Sequence, residues 1–376
     1  MKFVLIPDSF KGTLSSSRIC EIVSEKVQKH FADSTIASVP VADGGEGSVD
    51  AFISAVGGEK VKVVVKNPYF EDMESYYGLI ENGRTAVIEM ASCAGLPLVE
   101  DRKDPRKTTT YGVGQLILAA AERGVKKIIV GLGGSSTNDG GCGAAAAAGV
   151  RFFNKEGKEF VPVGGTVIDI ADIDLSGRSK ALEQVEIITM CDIDNPMYGT
   201  TGASYIFGPQ KGADEAMVEE LDAGIRNLSS VIAGVTGKDI SQVPGTGAAG
   251  AMGAGMIAFF GSRLQMGIQT VLDTVKFDEM IQDADYIITG EGKLDSQSLR
   301  GKVVIGIAER AKKQNCRVIA VVGGADDGEI EKAYEMGVTA VFPINRLPQD
   351  FSVSRYHSEE NLSYTVDNIL RLLAAR

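Results

Sequence analysis

The chain has 376 residues, 44% of them hydrophobic and 23% charged, a balance that supports a folded core and excludes a disordered one. That length is more than a single ordinary core takes up and points to two domains. With 38 basic against 50 acidic residues the formal charge is −12, and no long block of lysine or arginine occurs, so neither a nucleic acid nor a membrane surface is the expected partner and a small molecule is.

The first element is the apolar run Phe3–Ile6, a buried strand broken by Pro7-Asp8-Ser9 and followed by Lys11, Gly12 and a serine cluster. Ile19, Ile22, Val23, Val27 and Phe31 recur at helical spacing, as do Val49, Phe52, Ile53 and Val56 before Gly57-Gly58. Further strands are expected at Val61–Val65, Thr85–Met90, Ile128–Val130, Val185–Met190, Tyr286–Thr289, Val318–Val322 and Ala340–Phe342, and Ala144–Ala148 reads as a tightly packed helix. Strands alternating with helices indicate α/β layers with parallel strands. The first strand resembles those after residue 285 more than the glycine- and alanine-rich middle of the chain. The expectation is therefore two α/β domains: a Rossmann-like parallel-sheet domain, discontinuous in sequence (1–65 with 285–376), and an inserted second α/β domain (66–284).

Cysteines at 20, 93, 142, 191 and 316 are odd in number, scattered and free of C-x-x-C spacing, so reduced thiols are expected rather than a disulfide framework or zinc site. No apolar run reaches the length of a membrane span, and the run before Pro7 is too short for a signal-peptide core, which leads to a cytoplasmic expectation. The two histidines, His30 and His357, read as structural or solvated, leaving proton transfer to carboxylates.

The loops after the strands carry the chemistry. Glycine makes up 45 of 376 residues, against a usual share of about 7%, and gathers in "PDSFKG", "MASCAGL", "GLGGSSTNDGG", "CDIDNP", "TGEGKLD" and "GGADD". In parallel sheets, ligands collect at the carboxyl ends of strands, where loops and helix starts expose N–H groups. "VGLGGSSTNDGGCGAAAAAG" (130–149) runs strand, loop, helix; it reads either as a tight structural turn or as a phosphate cradle. Five consecutive polar residues, Ser135 to Asp139, favour the cradle. "PGTGAAGAMGAG" contains G-x-G-x-x-G at Gly245, Gly247 and Gly250 with no clear strand before it, and no Walker-type P-loop occurs. "VADGGEG" (41–47) can be a helix cap or a ligand loop through Asp43 and Glu46. "CDIDNP" and "TGEGKLD" read singly as solvated turns; together with Asp8 they supply enough carboxylates for magnesium and a general base, with Lys11 and Lys293 as the cations phosphoryl transfer requires.

These segments resemble the type-1 glycerate kinase family of bacteria: "PDSFKGTLS" (7–15), "ADGGEG" (42–47), "GLGGSSTNDGG" (131–141), "CDIDNP" (191–196), "FGPQKGA" (207–213), "PGTGAAG" (244–250) and "TGEGKLD" (289–295) occur in family order. "GSSTND" stands where Ser-Ala-Thr-Asn-Asp is commoner. The resemblance implies phosphorylation of D-glycerate by ATP, giving 2-phosphoglycerate, in a two-domain magnesium-dependent α/β enzyme with the motifs in the interdomain cleft; a homodimer is possible. A Rossmann-type dehydrogenase and a non-catalytic small-carboxylate-binding protein are the alternatives, and the dehydrogenase lacks a strand-anchored glycine fingerprint.

The residues are expected to divide by role, an assignment that the resemblance does not itself make. Asp192, Lys11 and Asp8 are the catalytic candidates. Ser9, Asp43, Gly44, Gly45, Glu46 and Asn195 surround glycerate. Gly133, Gly134, Ser135, Ser136, Asn138, Asp139, Gly245, Gly247, Gly250, Glu291 and Lys293 face the nucleotide, while Asp43 and Asp295 are candidate magnesium ligands.

Overall fold

The computed structural model describes residues 1–41, 45 and 47–375. The chain forms two compact units: Met1–Asp43 with Ser54–Val56 and Met266–Arg376, and Gly44–Ile53 with Gly57–Gln265.

The first unit is built on a five-stranded, wholly parallel sheet in the order Ala340–Pro343, Arg317–Val322, Tyr286–Thr289, Lys2–Leu5, Thr35–Ser38. Tyr286–Thr289 is buried at every residue because parallel sheets are covered on both faces, which is why such strands are continuous apolar runs rather than alternating ones. Helix Ser16–His30 starts where the Ser15 hydroxyl accepts the Arg18 N–H at 3.2 Å, and it buries Ile19, Ile22, Val23 and Val27. Each such side chain taken from water contributes roughly 1.5–3 kcal/mol. At its last turn His30 lies 3.0 Å from Asp367 on helix Ser358–Ala374, alongside Lys29 and Arg371, so this imidazole ties two helices together.

The second unit carries a six-stranded sheet in the order Arg263–Gln265, Glu186–Met190, Lys127–Gly131, Thr85–Glu89, Asp72–Ile80, Gly58–Lys66. The first four strands are parallel. The last two form an antiparallel hairpin, a pairing for which the sequence reading carries no expectation. Its loop is short: Asn67 N–H bonds to the Glu71 carbonyl and Phe70 takes a left-handed conformation, too tight a link for a parallel crossover. The alanine run lies in helix Cys142–Ala147, and the smallness has a use: a Cβ on Gly114 of helix Tyr111–Glu122 would stand 2.2 Å from the Ala144 carbonyl. A three-stranded antiparallel sheet of Arg151–Phe153, Glu159–Phe160 and Asp172–Asp174 completes the unit. All five cysteines are free thiols. Among the described residues no helix is long and apolar enough to cross a membrane.

Candidate active site

In the second unit the loop after strand Lys127–Gly131 has two parts. Gly133 and Gly134 reach the surface, Gly134 with a positive φ, whereas Ser135, Ser136, Thr137, Asn138 and Asp139 are all buried. The expectation that five polar residues make poor packing material is overturned, because the chain satisfies most of them. Ser136 donates its hydroxyl to the Ala94 carbonyl at 2.9 Å, and its own carbonyl accepts from the Thr108 hydroxyl at 3.0 Å. Asp139 accepts from the Thr110 N–H and hydroxyl at 2.8 and 2.9 Å and from the N–H groups of Gly141 and Gly143 at 3.1 and 3.2 Å. Burial pushes its carboxyl upward while these donors pull it back. The Asn138 amide donates to the Ser204 hydroxyl at 3.2 Å. Ser136, Asn138 and Asp139 thus brace the loop from within. Gly133 and Gly134 are the parts of the loop that reach the surface.

The 244–250 glycines are closely packed as well. A Cβ on Gly250 would lie 2.1 Å from the Thr137 carbonyl, one on Gly247 2.2 Å from the Pro196 carbonyl, and one on Gly245 2.9 Å from the Cys191 sulfur. All three are buried, and the pattern serves close packing against neighbouring segments. Gly250 lies between Ala249 and Ala251, all three at positive φ at the start of helix Ala248–Phe260, and its carbonyl accepts the Gly140 N–H at 3.0 Å. The loop after strand Glu186–Met190 joins the same assembly: Gly247 N–H donates to the Asn195 carbonyl at 3.0 Å, and the Asn195 amide to the Thr201 carbonyl at 2.8 Å. Asp192 is half-buried and Asp194 exposed on this loop.

In the first unit, the ends of strands Lys2–Leu5 and Tyr286–Thr289 stay paired beyond their last residues, with Asp8 N–H on the Gly290 carbonyl at 2.8 Å. This places Asp8 and Glu291 on adjacent strand ends. Ser9 donates its N–H to the Asp8 carboxylate at 2.6 Å, and Lys11 is exposed in the turn that comes next. Glu291 is 7% exposed, and its Oε1 has no hydrogen-bond partner among the described residues. Burial raises its carboxyl to about 7, with Asp8 and Asp295 adding to the rise and Ser298 and Lys302 opposing it. Lys293 pairs with Asp326 at 2.9 Å. Asp295 Oδ1 accepts the N–H groups of Gln297 and Ser298 at 2.9 and 3.2 Å.

The loops at 7–12 and 290–295 in the first unit, and at 132–139 and 191–196 in the second, thus follow strand ends. The sequence pattern of the glycerate kinase family matches residues 3–374. This chain belongs to the glycerate kinase family. It is 42% identical to a glycerate kinase of Bacillus cereus over 370 residues, covering 98% of this chain and 97% of that protein. It is 44% identical to a glycerate 2-kinase of Escherichia coli K12 over 345 residues, covering 92% and 90%. A crystal structure of a glycerate kinase 2 candidate from Salmonella typhimurium LT2 superposes with a TM-score of 0.87 at 38% identity, covering 100% of this chain and 98% of that one.

As a member of the glycerate kinase family the chain is an enzyme with a nucleotide to bind, and the family resemblance implies magnesium. Among the described residues no group of three or more histidine, cysteine, aspartate or glutamate side chains is arranged to hold a metal ion. Magnesium bound with nucleotide phosphates asks for only one or two carboxylates, the rest of its shell being phosphate and water. Asp295, with one oxygen fixed by two amides, and the unpartnered Oε1 of Glu291 nearby suit that chemistry. Asp43, Gly44 and Glu46 lie outside the described residues; Gly45 accepts the Ser48 N–H and hydroxyl through its carbonyl, at 3.3 and 2.8 Å.

Sequence reading passed over three groups around the second unit's loops. Glu89 ends strand Thr85–Glu89 fully buried and accepts the Val49 N–H at 2.5 Å, capping helix Ser48–Val56; burial raises its carboxyl. Thr108 and Thr110 brace the glycine loop from 28 and 29 residues away in sequence. Lys211, 1% exposed, donates to the Thr137 carbonyl at 2.6 Å. The threonine run "TTT" and the lysine of "FGPQKGA" were the signals present, but nothing local in either says that it packs beneath another loop.

Proposed function

We propose that this chain transfers the γ-phosphoryl group of ATP to D-glycerate and releases ADP and 2-phosphoglycerate. The observation that carries the reading is the match to the glycerate kinase family along residues 3–374, which includes every strand-end motif of the two units. In the reaction the glycerate hydroxyl oxygen bonds to the γ-phosphorus, the bond from that phosphorus to the ADP oxygen breaks, and the hydroxyl proton leaves to a base. Asp192 is the base: it directly follows a buried strand and Cys191, and a strand end holds a reacting group more firmly than a mobile loop does. Lys11 balances the charge of the phosphoryl group in flight, with Asp8 and Ser9 beside it. Gly133, Gly134 and Ser135 offer backbone donors to the nucleotide phosphates, and Glu291 and Lys293 complete the nucleotide contacts. Asn195 faces the substrate with Asp192. Magnesium, when bound, would neutralise phosphate charge, with Asp295 and Asp43 as its protein ligands.

The test is a coupled assay of ADP release over a panel of small hydroxy acids. Glycerate-dependent ADP is expected, and its absence would remove the kinase reading. Enolase consumes 2-phosphoglycerate directly, whereas 3-phosphoglycerate must first pass a mutase. A product signal that required added mutase would move the phosphate to the other hydroxyl.

A further inference from the structure

Lys211 has no part in the reaction as proposed, and its surroundings ask for one. It lies at the end of the short turn Pro209–Lys211, 1% exposed, and its ammonium donates to the Thr137 carbonyl at 2.6 Å. A buried ammonium costs the fold more than a hydrocarbon of the same shape, so its presence calls for a use. The turn that it holds is not self-sufficient: Thr137 Oγ1 and Asn138 Oδ1 are both buried without a hydrogen-bond partner among the described residues. From this buried turn the chain runs back through Ser135, itself buried, to Gly134 and Gly133, which reach the surface.

We propose that Lys211 is a positioning residue for the nucleotide: its clamp on the Thr137 carbonyl fixes the buried turn, and thereby the shape in which Gly133, Gly134 and Ser135 meet the phosphates. The inference rests on the reading of that loop as the phosphate site. The other braces, from the Thr108 and Thr110 hydroxyls, do not titrate near neutrality. The lysine does: burial lowers its ammonium to about 7, and Asp139, the charged group acting on it, holds it up against that fall. The neutral amine still donates, but without charge assistance, so the clamp slackens as pH rises through 7.

The experiment compares ADP dissociation constants, by calorimetry on the intact protein, for wild type and Lys211→Met, whose side chain keeps the packing of the stem and loses the donor. At pH 6 the variant should bind ADP at least tenfold more weakly, and the ratio should shrink toward one by pH 9; titration of ADP itself cancels in the ratio. The glycerate KM should stay within twofold. Equal affinities at pH 6, or a ratio that does not change with pH, would overturn the proposal while leaving the kinase reading in place. Wild type that binds no nucleotide at any pH removes both. Should Lys211→Met fail to fold, wild type alone decides through amide hydrogen exchange. Protection of residues 133–139, corrected for intrinsic rate, should fall between pH 6 and pH 9 while helix Glu215–Thr236 is unchanged. Constant protection would refute the clamp.

Discussion

Glu291 offers a test in which function and stability pull in opposite directions. Its carboxyl is buried, one oxygen lacks a partner among the described residues, and burial raises it from an ordinary value of 4.5 to about 7. Below pH 4.5 the group is protonated in both folded and unfolded chains and costs nothing. Between there and 7 the folded protein holds a proton that the unfolded chain has released, so stability falls as pH rises, and above 7 the loss is complete. At about 1.4 kcal/mol for each tenfold change in proton affinity, ionised Glu291 costs the fold about 3 kcal/mol. Glu291→Gln, neutral at every pH, should therefore unfold at higher urea than wild type at pH 8.5 and at nearly the same urea at pH 4.5, both in metal-free buffer. The variant should at the same time lose activity, since a carboxyl held at such cost is one that the reaction uses. A stability difference that is constant across pH, or a variant weaker than wild type at pH 8.5, would refute the reasoning.

Asp192→Asn should lower kcat by roughly 10²- to 10⁴-fold, with ATP affinity within a few-fold, as removal of a general base does; substantial rescue by excess magnesium would make Asp192 a metal ligand instead. Lys11→Met should fold normally and lose roughly 10²-fold or more in kcat, its charge acting in the transition state; near-native turnover would return Lys11 to an ordinary exposed turn lysine. Gly250→Ala places a Cβ 2.1 Å from the Thr137 carbonyl at a φ of +67°. Strain and overpacking together should cost about 3 kcal/mol, read as a fall in the thermal midpoint, whereas Gly324→Ala, with nothing within 4 Å, is the control that should change little.

The α/β character was written into the chain, because buried parallel strands must be continuous apolar runs. Tyr286–Thr289 has the bounds that its residues predicted, and Val318–Val322 differs by one residue. Helix Ser16–His30 was equally legible, since the spacing of Ile19, Ile22, Val23 and Val27 is a local property. The antiparallel hairpin Gly58–Lys66 with Asp72–Ile80 was not, because pairing direction depends on what the intervening loop can span. The strand-end loops were legible as motifs, yet sequence could not say which of their residues face outward. Ser135 to Asp139 look more like ligands than packing material by residue type alone. Four of these five residues are almost wholly inside because Ala94, Thr108, Thr110, Ser204 and Lys211, remote in sequence, supply most of the hydrogen bonds that make polar burial tolerable. Likewise the spacing of Gly245, Gly247 and Gly250 suggests phosphate approach, and only the fold shows that the backbone of residues 137 and 196 comes close to Gly250 and Gly247. Residue type and local spacing decide which elements form. Which polar groups remain for a substrate depends on which ones the fold has already satisfied, and only tertiary contacts make that assignment.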